Sequence, residues 1–163
     1  MDFAKWIAEF KVQHAKNKKG QLQGDELQKY LADRNELARA VLANQRSSVR
    51  LGQQARSLLK AARILPIEIE LGGRLRPLMT IDVGPEGFSA LTGEPPNNDR
   101  ALAIVLKLPG SPEPITGEAT CTQAIKGTGN YKCVFRFEES VGAKMRERIE
   151  SFVFDDLLDH LKT

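Results

Sequence analysis

Hydrophobic residues recur at helical spacing through the first sixty residues and at alternate positions in most of the remainder. The first stripe repeats at intervals of three and four residues and comprises Phe3, Trp6, Ile7, Phe10 and His14. This period is typical of an amphipathic α-helix. Two further helices are predicted, one from about Asp25 and one over residues 53–62. Together they make residues 1–62 a helical region.

The period changes at Arg63, after which six short runs are separated by turn residues. The predicted strands cover residues 64–71, 74–82, 87–92, 101–108, 115–125 and 130–138. In the last run, Cys133 and Phe135 alternate with polar or exposed positions, as in a strand with one buried face. Strands without interleaved helices form antiparallel sheets. We therefore predict an α+β chain, in which residues 63–163 form a six-stranded antiparallel barrel followed by a helix from about Ser140.

The composition is that of a globular protein and narrows the possible functions. Of the 163 residues, 41% are hydrophobic and 28% are charged. No apolar run reaches the ~18 residues that a membrane span needs. The N-terminal segment carries Asp2 and Glu9 and lacks the apolar core of a signal peptide. We expect a cytoplasmic protein with no membrane partner.

Side chains suited to catalysis or metal binding are few. The sequence has two cysteines, Cys121 and Cys133, and two histidines, His14 and His160. These are too few for a disulfide framework, and their spacing does not suit a four-ligand zinc site. We expect reduced cysteines, no metal, no cofactor and no enzymatic activity.

Basic residues are concentrated in the first part of the chain. Residues 1–63 contain thirteen Lys and Arg against six Asp and Glu, a net charge of +7, whereas residues 64–163 carry a net charge of −4. Such a basic stretch attracts phosphates, although it is also compatible with a solvated helix face. Binding to nucleic acid is disfavoured because residues 39–63 contain no aromatic side chain for base stacking.

The most informative segment joins a basic residue to a turn at the end of the second predicted strand. Arg63 stands immediately before the first strand, and the second strand runs into an Asp-x-Gly-x-x-Gly turn over residues 82–87. This order resembles the PilZ domain, which has an RxxxR motif ahead of its first strand and a (D/N)xSxxG motif at the end of its second. The six strands and the trailing helix fit that family over residues 55–162.

The resemblance implies a bacterial receptor for cyclic di-GMP that relays binding to a protein partner. Arginine pairs with phosphate oxygens and with guanine O6 and N7, and a carboxylate accepts hydrogen bonds from guanine. Turn glycines are expected to bring backbone N–H groups close to the ligand and to permit positive φ. The residues expected to contact cyclic di-GMP are Arg56, Lys60, Arg63, Asp82, Gly84 and Gly87.

Two positions depart from the family pattern. The serine of the second motif is Gly84, and the position four residues before Arg63 is Leu59 instead of arginine. The literal RxxxR pattern occurs earlier, at Arg46 and Arg50. Since each departure removes an expected contact, we expect cyclic di-GMP binding to be weak or lost.

An alternative function needs no nucleotide. The turn over residues 82–87 fits an ordinary strand-ending turn, and Arg56, Lys60 and Arg63 fit the wet face of one helix. The chain would then be a degenerate PilZ module that acts as a protein adaptor or oligomerisation element. In both cases we expect residues 1–50 to supply a surface for a protein partner or for self-association.

Overall fold

The computed structural model describes residues 2–45, 55–96 and 99–161, and these contain three α-helices, one 3-10 helix and six strands. The helices are α1 (Phe3–Lys18), α2 (Gly24–Gln45), the 3-10 helix (Ala55–Leu58) and α3 (Ala143–His160). The strands are β1 (Pro66–Leu71), β2 (Arg74–Gly84), β3 (Gly87–Thr92), β4 (Ala101–Leu106), β5 (Ile115–Lys126) and β6 (Tyr131–Phe137). None of the described helices has an apolar stretch that could traverse a bilayer.

The six strands close into a barrel in the order β1-β2-β3-β6-β5-β4, and every neighbouring pair is antiparallel. The β1–β2 hairpin turns through Gly72 and Gly73, whose φ angles are 65° and 83°. Positive φ at both central residues is the type I′ geometry that matches strand twist. The predicted α+β fold with a six-stranded antiparallel barrel is confirmed, and each strand lies within two residues of its predicted bounds.

Buried and more exposed side chains alternate along the strands, and the buried ones form the core of the barrel. On β6, Cys133, Phe135 and Phe137 are all buried, and the ring of Phe135 stacks on that of Phe88 with centroids 4.8 Å apart. Both cysteines are free and buried. Burial raises the pKa of the Cys121 thiol, which keeps it protonated and unreactive.

The chain divides into two compact units. One is Lys60–Val153 and contains the barrel, and the other comprises the described residues of Met1–Leu59 and Phe154–Thr163. The predicted assignment of residues 1–62 and 63–163 to two domains stays a prediction.

A polar cluster lies inside the helical unit. His14 is buried, and its Nδ1 lies 2.6 Å from the hydroxyl of Tyr30 while its Nε2 lies 2.8 Å from Oδ1 of Asp155. Lys18 Nζ also donates to Asp155, at 2.9 Å. Both ring nitrogens of His14 therefore have partners, and Asp155 holds the end of α3 to α1 within this unit.

The predicted helix over residues 53–62 is wrong except for one turn. Only Ala55–Leu58 is helical, and it is a 3-10 helix. Ala61 instead forms a β-bridge with Val83, with backbone hydrogen bonds of 2.8 and 2.9 Å. Residues 53 and 54 lie outside the described part of the chain. A short run of Ala and Leu is compatible with either period, and long-range pairing decided it here.

Candidate functional site

The segment ahead of β1 runs antiparallel beside the end of β2. The Thr80 hydroxyl donates to the carbonyl of Arg63 at 2.8 Å and accepts from the N–H of Leu65 at 2.9 Å. The Thr80 N–H donates in turn to the Leu65 carbonyl at 2.9 Å. Together with the Ala61 bridge, these bonds hold the backbone of Arg63 next to the stretch of β2 that leads into Asp82.

Asp82 follows a bulge in β2. Thr80 pairs with Ala90 but Asp82 pairs with Ser89, so Ile81 is the extra residue. A bulge re-aims the side chains beside it and is common next to functional sites. Here it changes the register of the strand immediately before the predicted ligand carboxylate.

The carboxylate of Asp82 has one oxygen that is buried without a hydrogen bond. This atom is Oδ1, and Lys60 Nζ lies 4.0 Å from it, beyond hydrogen-bond distance. The Asp82 side chain as a whole retains 24% exposure. A buried acceptor left unsatisfied costs about 1–3 kcal/mol, and more when charged. Asp82 therefore has spare acceptor capacity at the buried Oδ1, in a side chain that is partly exposed as a whole and has an ammonium group nearby.

Of the two turn glycines, Gly87 has a structural task that the sequence did not indicate. Gly84 and Gly87 pair with each other across the β2–β3 hairpin, and neither is among the described glycines with positive φ. The expectation that they provide positive φ is thus wrong. A Cβ on Gly87 would lie 1.9 Å from the carbonyl oxygen of Phe135, so only glycine allows β6 to approach this closely.

The predicted basic residues do not share one helix face. Arg56 lies on the 3-10 helix of the helical unit, where its N–H donates to Asn35 Oδ1 at 3.4 Å. Lys60 and Arg63 follow in extended chain at the start of the barrel unit. Arg63 places its guanidinium over the ring of Phe152, 5.3 Å from the centroid. The structure therefore brings Lys60 and the Arg63 backbone to β2, while the Arg63 side chain stacks on α3.

Arg146 of α3 is a further residue of this end of the barrel. It donates to the carbonyls of Phe137 and Glu138, at 3.2 and 3.0 Å, and its second terminal nitrogen lies 3.9 Å from a carboxylate oxygen of Glu86 in the β2–β3 turn. Sequence reasoning missed Arg146 because no motif or local period connects it to the turn. Thr80 was missed as well, although it stands two residues before Asp82.

Two further features that bear on the site are the literal RxxxR pair and possible metal ligands. The literal RxxxR pair, Arg46 and Arg50, lies outside the described residues. Among residues 2–45, 55–96 and 99–161, no three His, Cys, Asp or Glu side chains are grouped as metal ligands would be.

Comparisons with known proteins identify the fold. No family model and no curated protein matches the sequence. The Bacillus subtilis Inhibitor of motility (MotI/DgrA) matches in structure with a TM-score of 0.57 at 13% identity, over 64% of this chain and 52% of that one. The chain thus spans about half the length of MotI/DgrA.

Two structures of Escherichia coli YcgR also match. Its PilZ domain with c-di-GMP gives a TM-score of 0.46 at 16% identity, over 59% of this chain and 83% of that one. YcgR in complex with c-di-GMP gives 0.49 at 14% identity, over 59% and 43%. The chain has a PilZ-like fold, as the motif order predicted.

Proposed function

We propose that this chain is a bacterial, cytoplasmic receptor for cyclic di-GMP, a binding protein and not an enzyme. The observation that carries the proposal is Asp82 Oδ1, a buried carboxylate oxygen without a hydrogen bond at the position of the family's ligand motif. Guanine presents an N–H and an amino group on one edge, and these donors match the carboxylate. The ligand would satisfy an atom that the described fold leaves unsatisfied.

The basic residues supply the second half of the proposed site. Lys60 lies beside Asp82 and offers an ammonium for a phosphate, while Arg63 can pair with phosphate or stack on guanine. The Arg63 backbone is anchored by Thr80, so the side chain is the part of the residue that would move to reach a ligand. Because Lys60 replaces a bidentate arginine and Gly84 lacks a hydroxyl, we expect weak affinity.

We further propose that the N-terminal helices present the signal to a protein partner. Support comes from Phe3 on α1, which is 52% exposed. Trp6 stacks on Phe3 with centroids 6.4 Å apart, so the exposed ring is part of a larger aromatic surface. Such a surface is typical of a contact site.

Isothermal titration with cyclic di-GMP tests the receptor proposal. A charged hydrogen bond to ligand is worth about 1.5–3 kcal/mol, so Lys60→Ala and Arg63→Ala should each weaken binding about tenfold or more. Lys126→Ala, an exposed lysine on β5, is the matched control and should bind like the wild type. Absence of heat and of a thermal shift at about 100 μM ligand, which would mean a binding free energy weaker than about 5.5 kcal/mol, would reject the receptor function.

Restoring the family motif at Leu59 is not a clean experiment. Leu59 is 5% exposed, and an arginine there would place a charge in the core of the helical unit. The substitutions at Lys60 and Arg63 avoid this problem because neither side chain is buried.

A degenerate module that acts as a protein adaptor is the second candidate function. It is favoured by the packing tasks of two predicted ligand residues, since Arg63 stacks on Phe152 and Gly87 admits the backbone of β6. An adaptor predicts no nucleotide binding and a partner contact that is lost on substitution of Phe3. The same titration separates the two functions.

A further inference from the structure

The long strand β2 extends past its neighbour and leaves one edge uncovered. β2 has 11 residues, but β3 pairs only with its second half, from Thr80 to Gly84. Among the described residues, the first half of β2 pairs with β1 alone. An uncovered strand edge offers backbone N–H and C=O groups to another strand.

A slot of about 1020 Å³ runs beside this edge. One wall is the β1–β2 hairpin, and the other is formed by Gly93–Pro96 with Arg100 and Leu102. Within the described part of this wall no residue pairs with the first half of β2, and two of residues 93–96 are prolines without an N–H. The Thr92 hydroxyl donates to the carbonyl of Glu94 at 2.7 Å and fixes the turn that ends β3.

Cationic side chains dominate the charge of the slot. Three arginines and two glutamates line it, namely Arg74, Arg76, Arg100, Glu70 and Glu94. Arg100 pairs with Glu70 at 2.8 Å, and Arg76 Nε donates only to the Leu71 carbonyl, at 3.2 Å. Arg74 forms no ion pair with any described residue. The uncovered edge therefore lies next to guanidinium groups that can pair with additional carboxylates.

We propose that this slot binds an extended, acidic peptide segment of a partner protein, which adds as a strand along β2. Strand addition uses backbone hydrogen bonds for affinity and alternate side chains for specificity. Arg74 and Arg76 are two residues apart and lie on the same face of β2. They select a peptide with acidic residues at positions i and i+2. Leu75 is 44% exposed on the other face and favours an apolar residue between them.

The hairpin geometry limits the length of the added strand. Leu71 and Arg74 flank the two-residue turn and form the hydrogen-bonded pair that closes it. Hydrogen-bonded positions alternate along an antiparallel strand, so the even-numbered residues in the first half of β2 point their N–H and C=O groups towards β1. The Thr80 N–H bond to Leu65 follows this rule. The backbone groups of Leu75 and Pro77 therefore point towards the slot, and Pro77 offers only its carbonyl because proline has no N–H. The site therefore accepts a short strand, and its charges supply much of the selectivity.

Selection from a displayed library of random 12-residue peptides against the full chain tests this assignment. Selected peptides should carry Asp or Glu at i and i+2, and their affinity should fall at least tenfold in Arg74→Glu/Arg76→Glu and in Leu75→Pro. Circular dichroism should show both variants folded, because the substituted residues are exposed. Lys126→Ala should bind the peptides within about twofold of the wild type, a change below the energy of one ion pair.

Three outcomes would overturn the assignment. They are selection of no peptide, equal binding of the selected peptides to the charge-reversed protein, and a concentration-dependent dimer that Arg74→Glu dissociates, which would place a second copy in the slot. The two arginines that select the peptide, Arg76 and Arg74, lie about 20 and about 26 Å along β2 from Asp82, at about 3.3 Å per residue. Asp82→Asn should therefore leave peptide affinity unchanged, which separates this test from that of the nucleotide site.

Discussion

Asp82 is a residue whose local environment costs stability. Its Oδ1 is buried without a hydrogen bond and has Lys60 at 4.0 Å. Groups retained at such a cost are typical of binding sites, where function and stability compete. An ordinary strand-ending aspartate would instead accept hydrogen bonds from backbone N–H groups of the turn. The two interpretations predict opposite effects of removing the carboxylate.

We predict that Asp82→Ala leaves the free energy of unfolding unchanged or raises it by up to about 1 kcal/mol, because an unsatisfied acceptor disappears. Cyclic di-GMP affinity should fall at least tenfold. Urea unfolding and isothermal titration on the same preparation measure both quantities. A loss of more than about 2 kcal/mol would identify Asp82 as a structural turn residue.

Asp155 stabilises the helical unit through charge. Burial alone would raise the pKa of Asp155, but hydrogen bonds from His14 and Lys18 outweigh it and hold that pKa below its ordinary value of 3.8. A carboxylate whose pKa is lowered on folding stabilises the fold above its unfolded-state pKa. That contribution is lost as the pH falls through the folded-state pKa.

We predict that the free energy of unfolding falls between about pH 5 and about pH 3 in the wild type, and less in Asp155→Asn. At neutral pH the substitution should cost less than about 1 kcal/mol, because the ion pair is partly exposed. Asp159→Asn, at an exposed position of the same helix end, is the control and should retain the full pH dependence. Parallel curves for Asp155→Asn and the wild type would contradict the role of this charge.

At the scale of elements, the close contact between β3 and β6 depends on the absence of a Cβ atom at Gly87. A Cβ on Gly87 would meet the Phe135 carbonyl oxygen at 1.9 Å and the Arg136 Cα at 3.1 Å. Both are backbone atoms of the central barrel and cannot move away cheaply. The glycine that the family motif contains therefore has a packing explanation that is independent of any ligand.

We predict that Gly87→Ala destabilises the barrel by about 1–3 kcal/mol, the cost of forcing a methyl group into a packed interior. Gly93→Ala is the matched control, because a Cβ added at Gly93 would have nothing within 4 Å. Thermal unfolding of both variants provides the measurement. Equal melting temperatures for the two would show that β6 can shift, and the packing explanation would fail.

At the scale of the whole molecule, the exposed aromatic surface around Phe3 on α1 is the surface proposed for a partner. Ile7 and Phe10 are buried in the helical unit, so deleting α1 would expose its core. A point substitution at an exposed position leaves that core intact and provides the better experiment. Phe3 is 52% exposed and meets this condition, and Val12, equally exposed but half a turn away around the helix, is the matched control.

We predict that Phe3→Ser weakens any self-association or partner binding of the wild type without lowering its melting temperature, and that Val12→Ser leaves both unchanged. Apolar area that association removes from water is worth roughly 25 cal/mol per Å², so the loss of one phenyl ring gives a measurable change. Light scattering measures the mass. A Phe3→Ser variant that keeps the mass and the partners of the wild type would place the contact surface elsewhere.

The sequence alone determined the architecture because that information is local. Alternation of buried and exposed positions, turn residues and the order of the motifs predicted every strand to within two residues. Glycine pairs and prolines mark the turns through their own backbone preferences. These signals depend on neighbouring residues and survive without tertiary context.

Tertiary structure decided which residues meet. The helical spacing of Arg56, Lys60 and Arg63 was overridden by pairing of residues 61–65 with β2, whose hydrogen bonds come from residues about twenty positions away. The unsatisfied oxygen of Asp82 and the uncovered edge of β2 likewise follow from strand length and register across the barrel. Register and burial are set by contacts between distant parts of the chain, so no local pattern contains them.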